Sequence, residues 1–169
     1  MIKAQLKNNE VISTQPEARE LYNRTFYGYI KNKNLVLNLI EACYLLEKNK
    51  IEIFEKNKKI KFKDIYDICI EKYPKFITNY IVYKDLRERG LPVRIANNNY
   101  DFDVYERGAK PHQKPKIKWI VFTNSEDYPC KFKVLMNTLK LSKDSDVLWA
   151  IVDDDESVTY YIASKLSVK

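Results

Sequence analysis

Apolar positions along the chain switch repeatedly between a spacing of two and a spacing of three to four, the periods of half-buried strands and helices. Ile2 to Leu6 and Glu10 to Ile12 read as a hairpin turning over Lys7 to Asn9, and Pro16 suits the first turn of a short helix through Asn23. Asn38 followed by Glu41 has the form of a capping box, opening a helix through Lys48 with Leu39, Ile40, Cys43, Tyr44 and Leu46 on its apolar face. A second helix, Lys63 to Lys72, repeats the pattern with Ile65, Ile68 and Cys69 and is stopped by Pro74. Together these elements make one small α+β unit.

The pattern restarts with a helix from Phe76 to Arg89, where Tyr80, Ile81, Tyr83 and Leu86 recur at helical spacing and Gly90 offers a left-handed stop. Pro92 to Ile95 and Tyr100 to Tyr105 read as strands, the second by alternation of Tyr100, Phe102 and Val104 against Asp101, Asp103 and Tyr105. Lys116 to Thr123 predicts a further strand, Lys131 to Leu141 a helix, and Val147 to Val152 with Val158 to Ala163 a closing hairpin across an acidic turn. A mixed sheet with helices packed on it is expected here. No internal repeat or low-complexity linker interrupts the chain.

Composition adds limits. A chain of 169 residues is long enough for one large domain or two small ones. Its three cysteines, Cys43, Cys69 and Cys130, form no C-x-x-C pair, so neither a zinc site nor a disulfide framework is indicated, and a reducing cytoplasm suits them. No metal or other cofactor is expected. The N-terminus lacks a basic-then-apolar leader and no apolar run reaches the roughly 18–20 residues that span a bilayer, so no membrane partner is expected.

Charge points more weakly. Thirty Lys and Arg against 23 Asp and Glu give +7, which favours approach to phosphate, although a basic surface alone does not specify RNA. KNKNL, EKNKKIKFK and KPHQKPKIK hold most of the basic density and read first as solvated loops or strand edges. The opposite sign is concentrated in VDDDES, residues 152–157, by default a solvated tight turn.

Three stretches carry a likeness to a known family: IVYKDLRERGLPVRIANNNYDFDVY at 81–105, the ERG directly after it, and VLWAIVDDDESVTYYIAS at 147–164. In that order they resemble the archaeal tRNA-splicing endonuclease family, with its VYRDLRERG helix end, VYERG strand end and closing AVVD…VTYY hairpin. LYNRTFYG and LIEACYLLEK extend the resemblance into the first half. It implies an α+β protein of two small domains: an N-terminal α+β domain, residues 1–74, and a C-terminal nuclease-like α/β domain with a central mixed sheet, residues 75–169.

The family's metal-free cleavage needs a base for a ribose 2′-hydroxyl, an acid for the leaving 5′-oxygen and a cation for the phosphate. The resemblance assigns these to a Tyr, a His and a Lys, and carries them here to Tyr105, Lys116 and Asp146. Only the tyrosine matches. A lysine ordinarily titrates near 10.4, about four units above histidine, and is a poor proton donor at neutral pH. An aspartate in place of the cation reverses the sign of the stabilisation. The sole histidine, His112, lies four positions before Lys116 between Pro111 and Pro115, and Lys143 lies three before Asp146. Either reaches the site only if the loops depart from the family's course.

The resemblance also gives the acidic run a role, because family members assemble as four-unit particles in which an acidic loop enters a basic cleft of the opposite dimer. That loop maps to Asp153, Asp154, Asp155 and Glu156, with Ser125, Glu126 and Asp127 as a second candidate. The last strand, through Val158, Tyr160 and Ile162, is expected at a side-by-side contact. The resemblance, with two of the three catalytic groups replaced, implies a structural subunit of a heteromeric endonuclease. Two copies are expected with two of a catalytic partner, acting on the bulge-helix-bulge of precursor tRNA in the cytoplasm. Two alternatives stay open. One is an active homo-oligomer using Tyr105 with His112 or Lys116; the other is a generic basic RNA-binding protein.

Overall fold

The structure, a computed structural model, describes residues 1–96, 100–128, 132–142 and 145–163. It divides into two compact units, residues 1–80 with 109–114 and residues 81–108 with 115–169. Both mix helices and strands, as expected.

In the first unit, β1 (Ile2–Lys7) and β2 (Glu10–Ser13) form the expected hairpin, with Asn8 and Asn9 supplying the positive φ angles of a two-residue turn. A 3-10 turn, Pro16–Ala18, leads into α1 (Arg19–Thr25). Two hairpins then complete a six-stranded sheet: β3 (Tyr29–Lys31) with β4 (Asn34–Leu37), and β5 (Ile51–Glu55) with β6 (Lys58–Ile60). The strand order is β3-β4-β2-β1-β5-β6, with β1 and β5 parallel. Between the hairpins runs α2 (Leu39–Glu47), whose capping box does double service. One Glu41 oxygen accepts from the Asn38 N–H at 3.0 Å and the other from the Gly28 N–H at 2.8 Å. Gly28 has φ +64, and a Cβ there would stand 2.1 Å from the Val36 carbonyl oxygen, so only glycine fits.

Ala4, Val11, Leu37, Ile51, Ile53 and Ile60 on one sheet face share the core with Leu39, Ala42, Cys43 and Leu45 of α2. Ile65 and Cys69 are the buried residues of α3 (Phe62–Lys72), which ends at Tyr73 with φ −129, the extended conformation that Pro74 imposes on its predecessor.

The helix α4 (Phe76–Glu88) continues into the second unit and stops at Gly90, φ +78. Here β7 (Val93–Ile95), β8 (Phe102–Val104), β9 (Trp119–Ser125), β10 (Asp146–Val152) and β11 (Val158–Ala163) make a sheet of order β11-β10-β9-β8-β7. Only β9 and β10 are parallel, and α5 (Phe132–Leu141) is their crossover. One sheet face meets α4, with Tyr83 and Phe102 ring centroids 5.8 Å apart, while on the other Leu139 of α5 packs on Ile120 and Val147. Strand β9 starts three residues later than the alternation suggests, leaving Lys116 in the connecting segment.

Candidate functional site

The parallel pair gives the second sheet a starting end and a finishing end. At the starting end, register puts Val104, Trp119 and Asp146 in one row across β8, β9 and β10. Residues leaving that row therefore gather there: Tyr105 after β8, and 115–118 before β9. Tyr105 is 5% exposed, and its N–H donates to the Pro92 carbonyl at 3.0 Å. The Lys118 N–H donates to the Val104 carbonyl at 2.9 Å, and the Ser145 hydroxyl donates to the Ile117 carbonyl at 2.8 Å, fastening the segment on both sides.

The side chains at this end carry charges of both signs. Lys116 and Asp146 are both exposed. Lys118 Nζ lies 2.6 Å from a Glu106 carboxylate oxygen and 4.1 Å from the Trp119 ring centroid, so a cation and its counter-ion occupy the rim. The two ammonium groups attract a phosphate and the two carboxylates oppose it. His112 is exposed on the 3-10 turn Pro111–Gln113, which groups with α1 in the first unit. Lys143 lies outside the described residues.

The DLRERG stretch is structural in its contacts. Arg87 is buried, its Nε donating to the Tyr83 hydroxyl at 2.9 Å and an Nη to the Val93 carbonyl at 2.6 Å, which pins α4 to β7. Asp85 receives two hydrogen bonds from Arg89, at 2.7 and 3.1 Å, and a third from the Tyr160 hydroxyl at 2.7 Å. This ties α4 to β11. Burial and the neighbouring Asp85 carboxylate push the Tyr160 phenol well above its ordinary pKa. On β8, burial raises the Asp103 carboxyl above its ordinary pKa, against the pull of the Tyr100 hydroxyl and Arg94.

At the finishing end the two acidic candidates stand side by side, since Val152 pairs with Ser125 and the Glu126 N–H donates to the Val152 carbonyl at 2.9 Å. The turn 153–157 is held by its own atoms. The Ser157 hydroxyl donates to Asp153 at 2.7 Å, the Ser157 N–H donates to Asp155 at 3.0 Å, and Glu156 takes φ +64. That N–H also holds the Asp155 carboxyl below its usual range. Asp154, Asp155 and Glu156 are exposed, as are Glu126 and Asp127.

Of the strand residues expected at a contact, Ile162 is 68% exposed, whereas Val158 and Tyr160 are half-buried. The alternation sets Tyr161 on the face opposite Tyr160 without making it a contact candidate, yet it is 53% exposed and tilted against Trp149 at 6.2 Å; Tyr128, 72% exposed, had no signal. Cross-strand pairing of Trp149 with Tyr161 could have been read once the hairpin register was set over VDDDES. Among the described residues no three His, Cys, Asp or Glu side chains converge as a metal site requires, and no helix is long and apolar enough to cross a membrane.

Residues 2–66 match the family model for the tRNA intron endonuclease N-terminal domain, and residues 76–160 match that for the tRNA intron endonuclease catalytic C-terminal domain. The chain belongs to the tRNA intron endonuclease family. It is 34% identical over 170 residues to a tRNA-splicing endonuclease of Methanococcoides burtonii, covering 99% of this chain and 48% of that protein. It is also 34% identical over 166 residues to one of Thermococcus onnurineus, and 35% over 166 to one of Pyrococcus horikoshii, each comparison covering 95% of this chain and 94% of the relative. The chain thus spans about half the length of the Methanococcoides relative and nearly all of the other two. Within the family's two-module plan, the starting end of the second sheet and its finishing turn both belong to the C-terminal module.

Proposed function

We propose that this chain is a non-catalytic structural subunit of a heteromeric tRNA-splicing endonuclease, assembled as two copies with two of a catalytic partner and acting on precursor tRNA in the cytoplasm. The support for this reading is the resemblance, which carries the family's Tyr, His and Lys to Tyr105, Lys116 and Asp146 and so implies that acid and cation are both replaced. A partner with all three groups would cut at the bulge-helix-bulge and leave 2′,3′-cyclic phosphate and 5′-hydroxyl ends. This chain would contribute the carboxylates of Asp153, Asp154, Asp155 and Glu156 to a clasp and offer β11, through Val158, Tyr160 and Ile162, for side-by-side pairing. Exposure of Asp154, Asp155, Glu156 and Ile162 supports that use. We set the division between the two domains at residues 74 and 75.

The test is cleavage of a precursor-tRNA transcript by the chain alone and by an equimolar mixture with a family member bearing Tyr, His and Lys that is itself inactive alone. Cleavage only in the mixture is expected. Accurate cutting at both intron boundaries by this chain alone would sink the proposal.

A further inference from the structure

The charge of this protein is unevenly distributed. Residues 48–63 hold seven lysines and two glutamates, so five of the seven net positive charges lie in sixteen residues. The structure folds this stretch into the β5–β6 hairpin and its flanks, at one edge of the six-stranded sheet. Lys56 and Asn57, with φ +46 and +67, form a tight two-residue turn, and Glu55 pairs with Lys58 across it. Lys59 is held by Glu52. Lys56, Lys58, Lys61 and Lys63 are exposed, and none of their ammonium groups forms an ion pair among the described residues, although the Lys61 backbone N–H donates to Asp64 at 2.9 Å.

We propose that this hairpin, in the N-terminal module, is an RNA-contacting surface that grips the phosphate backbone. The choice of RNA as ligand rests on the proposed subunit role; the location and its chemistry rest on the hairpin itself. Lysine alone would suffice to keep an edge strand from pairing with another chain, but β6 is three residues long and offers little edge to protect. The cations instead continue past the strand, to Lys61 and Lys63, and around its turn, to Lys56. All are lysines, compact and strongly hydrated charges that bind phosphate as points and release counterions in doing so. A stable protein contact draws on aromatic and arginine anchors, and within 48–63 the aromatic groups are Phe54 and Phe62, both half-buried. The surface therefore fits a polyanion read by charge, without base recognition.

The test compares two triple variants of the full chain. Lys56→Gln/Lys58→Gln/Lys61→Gln removes the hairpin charges. Lys7→Gln/Lys31→Gln/Lys33→Gln removes three exposed charges elsewhere in the same unit, two of them at the opposite sheet edge. Affinity for a precursor-tRNA transcript is measured by fluorescence anisotropy across a salt series, with thermal melts to establish that both variants fold. The hairpin variant should bind about tenfold more weakly, and its log affinity against log salt should flatten by about 2–3 units, while the control changes little. Equal losses in the two variants, or no loss in the hairpin variant, overturn the proposal. So does a hairpin variant that keeps RNA affinity but loses binding to polyglutamate, which would assign the surface to an acidic protein. Cleavage in the mixed assay separates the two readings. If the mixture cuts but the hairpin is indifferent to RNA, only this inference fails; hairpin-dependent binding without cleavage in the mixture would retire only the proposed subunit role.

Discussion

The two ends of the second sheet are built from the same strands and are fixed in different ways. The starting end is assembled from separate stretches, 105–106, 115–118 and 145–146, and depends on cross-strand bonds such as Lys118 N–H to Val104 and Ser145 to Ile117. The finishing end is a hairpin turn whose aspartates and serine hold one another. A turn of this kind keeps its shape through local contacts. A site gathered from three places needs each contributor to be chemically right as well as correctly placed. On the proposed reading the starting end has exchanged two of its three chemical groups, while the acidic turn keeps its carboxylates.

The sharpest way to press that comparison is to reinstall the chemistry. Lys116→His with Asp146→Lys is expected to give the chain alone cleavage of precursor tRNA at least about 100-fold above its own background, the scale of a positioned general acid. No gain in a variant that still folds would show that the end is misshapen as well as miscast. At the other end, Asp154→Lys/Glu156→Lys, which spares the Asp153 and Asp155 bonds to Ser157, should abolish co-elution with the catalytic partner on size exclusion and leave the melting temperature nearly unchanged.

Smaller effects probe the ties from α4. Arg87→Met removes the hydrogen bonds to the Tyr83 hydroxyl and the Val93 carbonyl, and should cost about 2–3 kcal/mol, or roughly 5–10 °C in Tm. Tyr160→Phe removes only the hydroxyl from Asp85, which keeps Arg89, and should cost about 1 kcal/mol by denaturant titration. The smallest expected change is a pH effect. Because burial raises the Asp103 pKa, the folded state holds that proton to higher pH than the unfolded chain, and stability falls as pH climbs through the carboxylate range. Asp103→Asn should therefore raise Tm at pH 7 by about 1 °C, given solvent screening, with the gain vanishing below about pH 4.

Legibility in the sequence tracked the strength of local signals. The β1–β2 hairpin, the Asn38 capping box, the Pro74 stop and the β10–β11 hairpin each had a residue type that enforces the conformation, and each is present. The β3–β4 and β5–β6 hairpins were not foreseen. Their strands are three to five residues long, and their turns, Asn32-Lys33 and Lys56-Asn57, reach positive φ without glycine. Lysines flanking those turns made both segments read as solvated surface. At the starting end, the family motifs supplied the frame for Tyr105, Lys116 and Asp146. The Lys118–Glu106 pair depends instead on β8 and β9 lying alongside, which spacing alone does not reveal.

Strand β10 joins the two ends. Its seven residues, Asp146–Val152, run from one end of the sheet to the other, a length of roughly 20 Å at about 3.3 Å per residue. Substitutions separated by more than about 7–10 Å generally act independently. A change at Asp146 is therefore energetically invisible to the turn that begins at Asp153. On the proposed assignment of a task to each end, substitutions at one can therefore accumulate with little effect on the other.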